Sequence, residues 1–324
     1  MRFPVRLTVA GDAIEIDFEG APPQLPQGGL NSTLNYTEAH ATYPLKCMLT
    51  PGVRGNAGCY RPFTVKAPRG SILHCEYPAS VAIRTRTGWY IAPNIFQALA
   101  GAAPAQVQAF TGLPVAMTVY GQDAAGATYS DMLFSGGGQG ASVGSDGKSG
   151  LLYPTSAANT SIEMIESRAP IVVTEKAFVT DSGGAGKHRG GLAQRVRLRK
   201  RDDDGLPMLV SVYPEGVGLQ IAGLHGGRPG LSARGFVENG ASELLHDCGA
   251  GELVTLRGTH EHVVLILAGG SGYGDPLERS ASDKAHDLAM GWISPEGAAR
   301  QYGPDPAAPA QPDAAPQGRA VAGT

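Results

Sequence analysis

The sequence predicts a β-rich α+β fold, with glycine loops at strand ends and a few short helices. Three observations carry this. The 324 residues include 46 glycines and 24 prolines, which resist long helices and populate tight turns. The apolar residues fall in short runs, many alternating with polar ones, the period of a half-buried strand. Three of those runs end in a glycine cluster: "SGGGQGA", "DSGGAGKHRGG" and "AGGSGYGDP". Glycines set between apolar runs indicate packed structure rather than low complexity.

The elements follow in order. "VRLTVAGDAIEIDFEG" reads as a hairpin, with Val5, Leu7 and Val9 on one arm and Ile14, Ile16 and Phe18 on the other. Such a hairpin is marginal until another element covers it, so a chain opening on one looks like the continuation of something. A helix is expected to Leu49, capped by Asn31 or Ser32 and kinked or broken at Pro44. "YRPFTVKAP" and "GSILHCEYPASVAI" read as strands, and "APNIFQALAGAAP" as a helix with Pro93 near its start. "PVAMTVYGQ" and "TYSDMLFS" are strands, the second entering the first glycine loop. "EKAFVT" and "AQRVRLRKRDDDG" place a strand on each side of the second. "GELVTLRGTHEHVVLILAGGSGYGDP" reads as strand and then glycine loop. A helix led by Ser282 or Asp283 and a shorter one from Ser294 close the ordered part, residues 1–303. The tail at 304–324 has five prolines, seven alanines and almost no bulky apolar residue, so disorder is expected there.

Composition narrows the function. With 42% hydrophobic and 17% charged residues the chain reads as a soluble globular protein. A net charge of −3 gives no global field to gather nucleic acid or an anionic membrane. No run approaches the ~18 apolar residues of a membrane span, and Gly11 and Asp12 interrupt any apolar core of signal-peptide length. Cys47, Cys59, Cys75 and Cys248 show no CxxC spacing. Reduced, mostly buried thiols of a cytoplasmic protein are the expectation. Arg195, Arg197 and Arg199 alternate with Val196 and Leu198, the pattern of an ordinary half-exposed strand.

The loop Asp181–Gly191 concentrates five glycines with an Asp, a Lys, a His and an Arg. It is not a P-loop. Asp181 stands where the first glycine belongs, His188 replaces the Ser/Thr, and the following segment reads as strand, so no helix N-terminus faces an anion. "GGSGYG" is followed by Asp275-Pro276 and opens no long helix, which removes a dinucleotide fingerprint. The residues alone fit a structural loop: glycines at positive φ, Asp181 bonding loop amides, Arg189 paired with a carboxylate.

Motif order adds a second reading. "GNAGCYRPFTVKAPRGSIL", "PASVA", "GGGQGA", "SDGKSG", "SIEMIESRAPI", "DSGGAGKHRGG", "GLHGGRPG", "GGSGYGDP" and "GWISPEGAARQYG" follow one another through most of residues 5–303. Together they resemble the hydantoinase B/oxoprolinase family. These are the B-type subunits of ATP-dependent N-methylhydantoinase, 5-oxoprolinase and their relatives, including acetone and acetophenone carboxylases. The resemblance implies a partner A-type ATPase subunit that binds ATP and phosphorylates a carbonyl or enol oxygen. The B-type subunit would then complete hydrolysis of the activated cyclic amide or, in the carboxylases, carboxylate an activated ketone. Loop amides would hold the developing negative charge. On this resemblance Asp181, Ser182 and Arg189 are the catalytic candidates. Gly137, Gly138, Gly183, Gly184, Gly190, Gly191, Arg84 and Arg86 are the binding candidates.

The chain also departs from the family pattern. It resembles only the C-terminal part of a B-type chain. The metal-type motifs of the other half are not in it, so no metal ligand is assigned here and a divalent metal would be held by a further chain. That chain is then a second expected partner. "IRTRTGWY" replaces a run of amide and acidic residues. Arg84 and Arg86 could bind a phosphate or carboxylate, or be exposed strand arginines. His260 and His262 could share a metal if both lay on one strand face, but no third ligand is evident and a solvated turn is expected. The hydrolase is the leading expectation. A ketone carboxylase subunit and a non-catalytic assembly subunit are the alternatives.

Overall fold

The computed structural model describes residues 4–303 apart from position 156. Residues 304–324, with the disorder expected of them, lie outside this range. The first part carries β1 (Arg6–Ala10), β2 (Ala13–Asp17), α1 (Leu34–Leu49), α2 (Ala57–Tyr60), β3 (Phe63–Lys66), α3 (Thr85–Gly88) and α4 (Ile91–Leu99). Then follow β4 (Val115–Gln122), β5 (Thr128–Ser135), α5 (Ile162–Arg168), β6 (Ile171–Phe178), β7 (Gln194–Lys200) and β8 (Met208–Val212). The rest is β9 (Arg234–Glu238), β10 (Leu244–Asp247), β11 (Glu252–Leu256), β12 (His262–Ile266), α6 (Ala281–Ala289) and α7 (Pro295–Tyr302). The β-rich α+β expectation holds.

The strands form three sheets among the described residues: β1-β2-β3, β10-β9-β12-β7-β6 and β11-β8-β4-β5. The two larger sheets share one apolar core. Met117, Leu133, Val210 and Leu256 come from one sheet, and Ile171, Val196, Leu198, Val263 and Leu265 from the other. Alternation explains the sidedness. Val196 and Leu198 point inward while Arg195 and Arg197 pair on the other face with Glu175 of the adjacent β6 and with Glu238 of β9, across β12. A second core joins the small sheet to α1 and α4 through Ile16, Phe18, Leu45, Ile91 and Ile95. Each such fully buried side chain contributes about 1.5–3 kcal/mol. The opening hairpin is therefore covered, with β3 added in parallel to β2.

Several sequence expectations are corrected. Helix α1 runs unbroken through Pro44. Its N-cap is Thr33, because Asn31 is committed elsewhere, bonding Leu25 and the Ser80 carbonyl. "GSILHCEYPASVAI" is not a strand. Ile72 and Leu73 are fully buried within turns and isolated bridges, so their apolarity reports burial rather than a ladder. "IRTRTGWY" is helical at Thr85–Gly88 instead of strand. The segment 252–266 forms two strands in different sheets, β11 and β12. Helix α6 is capped by Ser280, upstream of Ser282 and Asp283, while Ser294 caps α7 as expected. Only Cys248 of the four free thiols is buried, and Cys47 is exposed.

Candidate functional site: a glycine layer behind an aromatic cleft

The glycine loops after β5, β6 and β12 meet edge to edge and bond through backbone alone. The Gly191 amide donates to Gln139 O at 2.8 Å, Gly270 to Gly191 O at 2.9 Å and Gly184 to Gly270 O at 2.8 Å. Gly138 donates to Ala268 O at 3.0 Å and Gly190 to Gly184 O at 2.9 Å. A fourth segment joins them through Gly272 to Arg228 O and Leu231 to Ser182 O. Glycine is required by proximity. A Cβ on Gly138 would lie 1.9 Å from Gly191 O, and one on Gly190 would lie 1.9 Å from Gly270 O. This corrects the sequence expectation of glycines at positive φ. Within 136–140, 181–191 and 269–274, only Asp181 (φ 61°) and Gly274 (φ 75°) occupy that region. Five of the amides expected to hold developing charge are thus already bonded to carbonyls of the layer. Gly137, Gly138, Gly183, Gly184, Gly190 and Gly191 are all buried in it.

Two of the three catalytic candidates, Asp181 and Arg189, fasten this layer to the C-terminal helices, while Ser182 bonds within the loop. Asp181 accepts from the Ser294 amide at 2.9 Å and its hydroxyl at 2.6 Å, while its own amide donates to Trp292 O at 3.0 Å. Ser182 is 2% exposed and accepts the Ala193 amide at 2.8 Å. Arg189 is 2% exposed, donates to Asp287 at 3.2 Å and lies 5.0 Å from the Trp292 ring centroid. Arg279 donates to Asp287 at 2.7 Å and to Asp146 through a two-pronged contact of 2.9 and 2.7 Å. Asp146 also accepts the Arg189 amide at 2.7 Å. Burial alone would raise the Asp146 carboxyl. The hydrogen bond and charge of Arg279, then the Arg189 amide and charge, outweigh it and hold the group below its usual value.

In front of the layer opens a cleft of about 370 Å³, lined by Tyr90, Pro93, Asn94 and Gln97 of α4 and its approach, by Gln108 and Phe110, and by Ile221, Ala222 and Leu224. The rings of Tyr90 and Phe110 stack at 6.1 Å. The layer backs this wall directly: Ser271 donates its amide to Phe110 O and its hydroxyl to Ile221 O, and Gln139 donates to Gln108 at 2.9 Å. At the edge, beside Tyr90, Glu215 is ion-paired with Arg86. Its burial raises the carboxyl against the lowering effects of Arg86 and Tyr90. Flat apolar walls with a few carboxamides suit a small, largely neutral molecule.

Arg86 therefore borders the cleft through Glu215, and lies 5.8 Å from the Tyr213 ring centroid. Arg84 faces elsewhere, 5.1 Å from the ring centroid of Tyr36, so the two guanidiniums serve different partners. His260 sits in a turn ahead of β12, and the His262 ring bonds the His260 carbonyl rather than sharing a ligand with it. Sequence reasoning missed Glu215, Tyr90 and Gln108. It also missed a group of His246, Cys248 and Glu252, whose ligating atoms lie within 4.8 Å of one another. The cleft residues meet only through tertiary folding and leave no spacing to read. The His-x-Cys-x-x-x-Glu spacing was visible, but its meaning depends on the turn by which the chain passes from β10 to β11.

Two packed antiparallel sheets, a glycine layer and the aromatic cleft beside it make up the candidate site. This chain belongs to the hydantoinase B/oxoprolinase family, whose model matches residues 1–276. It is 28% identical over 315 residues to a Pseudomonas protein assigned as the B component of a D-/L-hydantoinase, covering 94% of this chain and 52% of that one. The crystal structure of ATP-dependent caprolactamase from Pseudomonas jessenii superposes with a TM-score of 0.81 at 26% identity, over 92% of this chain and 53% of that chain. A nucleotide-free acetone carboxylase structure shares the fold, with a TM-score of 0.73 at 16% identity over 92% and 44% of the two chains. The chain thus spans about half the length of the first relatives it matches. Among the described residues, no helix is long and apolar enough to cross a membrane.

Proposed function

We propose that this chain is part of an ATP-dependent enzyme that opens a cyclic amide, acting on a carbonyl phosphorylated by a partner A-type ATPase subunit. A further chain supplies the family's other half and any catalytic divalent metal. The observation that carries this is family membership joined to the likeness to caprolactamase along nearly the whole chain. A ring amide is poorly electrophilic, and phosphorylating its oxygen creates a leaving group. The cleft receives the ring against Tyr90 and Phe110, with the carboxamides orienting its amide edge. Glu215, with its raised affinity for a proton, and the Tyr90 hydroxyl beside it are placed to move a proton at the cleft edge. Arg86 holds Glu215 in position. Asp181, Ser182 and Arg189, with the glycines at 137, 138, 183, 184, 190 and 191, act as positioning residues that keep the layer in register behind the cleft.

The test is to express the chain alone and together with the polypeptides encoded beside it. ATP-dependent opening of hydantoin, 5-oxoproline and caprolactam is then followed alongside bicarbonate incorporation into acetone. Ring opening only in the mixture, and only with ATP, is expected. Unaided turnover by this chain overturns the subunit assignment, and bicarbonate incorporation without ring opening replaces the hydrolase with a carboxylase.

A further inference from the structure

The turn between β10 and β11 gathers three different metal-ligating side chains within seven residues. His246 ends β10, Cys248 lies in the turn, and Glu252 opens β11. Their ligating nitrogen, sulfur and oxygen atoms are all within 4.8 Å of one another. We propose that His246, Cys248 and Glu252 form a zinc site, separate from the cleft and independent of the function proposed above.

The backbone explains the convergence. Strand alternation puts His246 and Cys248 on one face and turns Asp247 to the other, where it pairs with Arg234 at 2.7 Å. Two glycines at positive φ, Gly249 (53°) and Gly251 (123°), fold the turn so that Glu252 returns to that face. The turn is fixed by Asp247 accepting the Gly249 amide at 2.9 Å, by Gly251 donating to Cys248 O at 2.9 Å and by Cys248 donating to Gly235 O at 3.0 Å.

The donor set selects the ion. One imidazole, one thiolate and one carboxylate suit zinc's borderline-soft character and tetrahedral geometry, whereas magnesium and calcium prefer all-oxygen shells. Cys248 is 5% exposed and forms the inner wall. The His246 and Glu252 side chains are 54% and 39% exposed, so ions enter from solvent and a water completes the fourth position. Binding converts the thiol to a zinc-bound thiolate and releases its proton to solvent. Because β10 belongs to one large sheet and β11 to the other, the ion would staple the two sheets at this corner.

The experiment uses the full chain, stripped with chelator and titrated with zinc or cobalt(II). One tightly held zinc per chain is expected, with a melting temperature that rises on zinc addition. The cobalt form should show an intense near-ultraviolet sulfur-to-cobalt band. His246→Ala and Glu252→Gln, both at half-exposed positions that leave the fold intact, should each weaken zinc by at least about tenfold. Cys248→Ser should lose the cobalt band. Zinc affinity unchanged in His246→Ala, or a cobalt adduct without the sulfur band, overturns the proposal.

Discussion

At the residue scale, the glycine layer separates two uses of glycine that a sequence cannot tell apart. Gly138 has no room, whereas a methyl added at Gly144 would meet no heavy atom within 4 Å but would sit at φ +74°. Gly144→Ala should therefore cost only the ~1–2 kcal/mol of left-handed backbone. Gly138→Ala forces backbone against backbone, where no rotamer relieves the clash, and should exceed the ~1–3 kcal/mol of ordinary overpacking. Thermal unfolding of the two variants side by side checks the order. Asp181 gives a third contrast. Asn tolerates positive φ, so Asp181→Asn should keep the loop and lose mainly the charge in its contact with Ser294. Asp181→Ala loses both and should melt lower. If the positioning role holds, ring-opening turnover in the reconstituted complex should fall in the same order as loop order is lost.

At the element scale, α6 and α7 are held by a buried cluster of two arginines on Asp287. Arg279 and Asp287 are each 1% exposed and Arg189 is 2% exposed. Asp287→Ala strips the shared partner from both guanidiniums and should destabilise by about 3–5 kcal/mol, read as a shifted denaturant midpoint. The helices themselves were legible, because Ser294 and Pro295 write a helix start in the ordinary way. Helix α5 was not seen. Ile165 is its one buried residue, so it has too little apolar periodicity to announce itself. The "SILHC" run misled for the opposite reason: full burial without a ladder looks like a strand in one dimension.

At the scale of the whole molecule, the fold class and the three glycine loops were legible, since strand alternation and turn residues are local signals. The cleft was not, because Tyr90, Gln108, Phe110, Glu215 and Ile221 are brought together by long-range packing. Acid stability follows from Asp146. Its carboxyl is held below the ordinary value, so its contribution is fully present above the unfolded pKa of ~3.9 and is lost as pH falls through the lower folded value. The melting-temperature gap between wild type and Asp146→Asn should be constant above about pH 5 and shrink below pH ~4. A gap that widens on acidification contradicts the assignment.

The knitting of the loops through their own amides has a kinetic side. Segments without regular secondary structure ordinarily exchange their amide hydrogens quickly, since they open by local fluctuation. Here the amides of Gly138, Gly184, Gly191 and Gly270 are bound to carbonyls from other segments, and that of Gly190 to Gly184 across its own loop, and none can be released singly. Peptides covering these loops should take up deuterium as slowly as β7 and β12, while the β4–β5 turn labels within seconds. A protein engineer would then find these loops closed to redesign and the cleft wall at 90–97 and 221–224 open to it: new side chains would be introduced on α4, against an unaltered glycine backing.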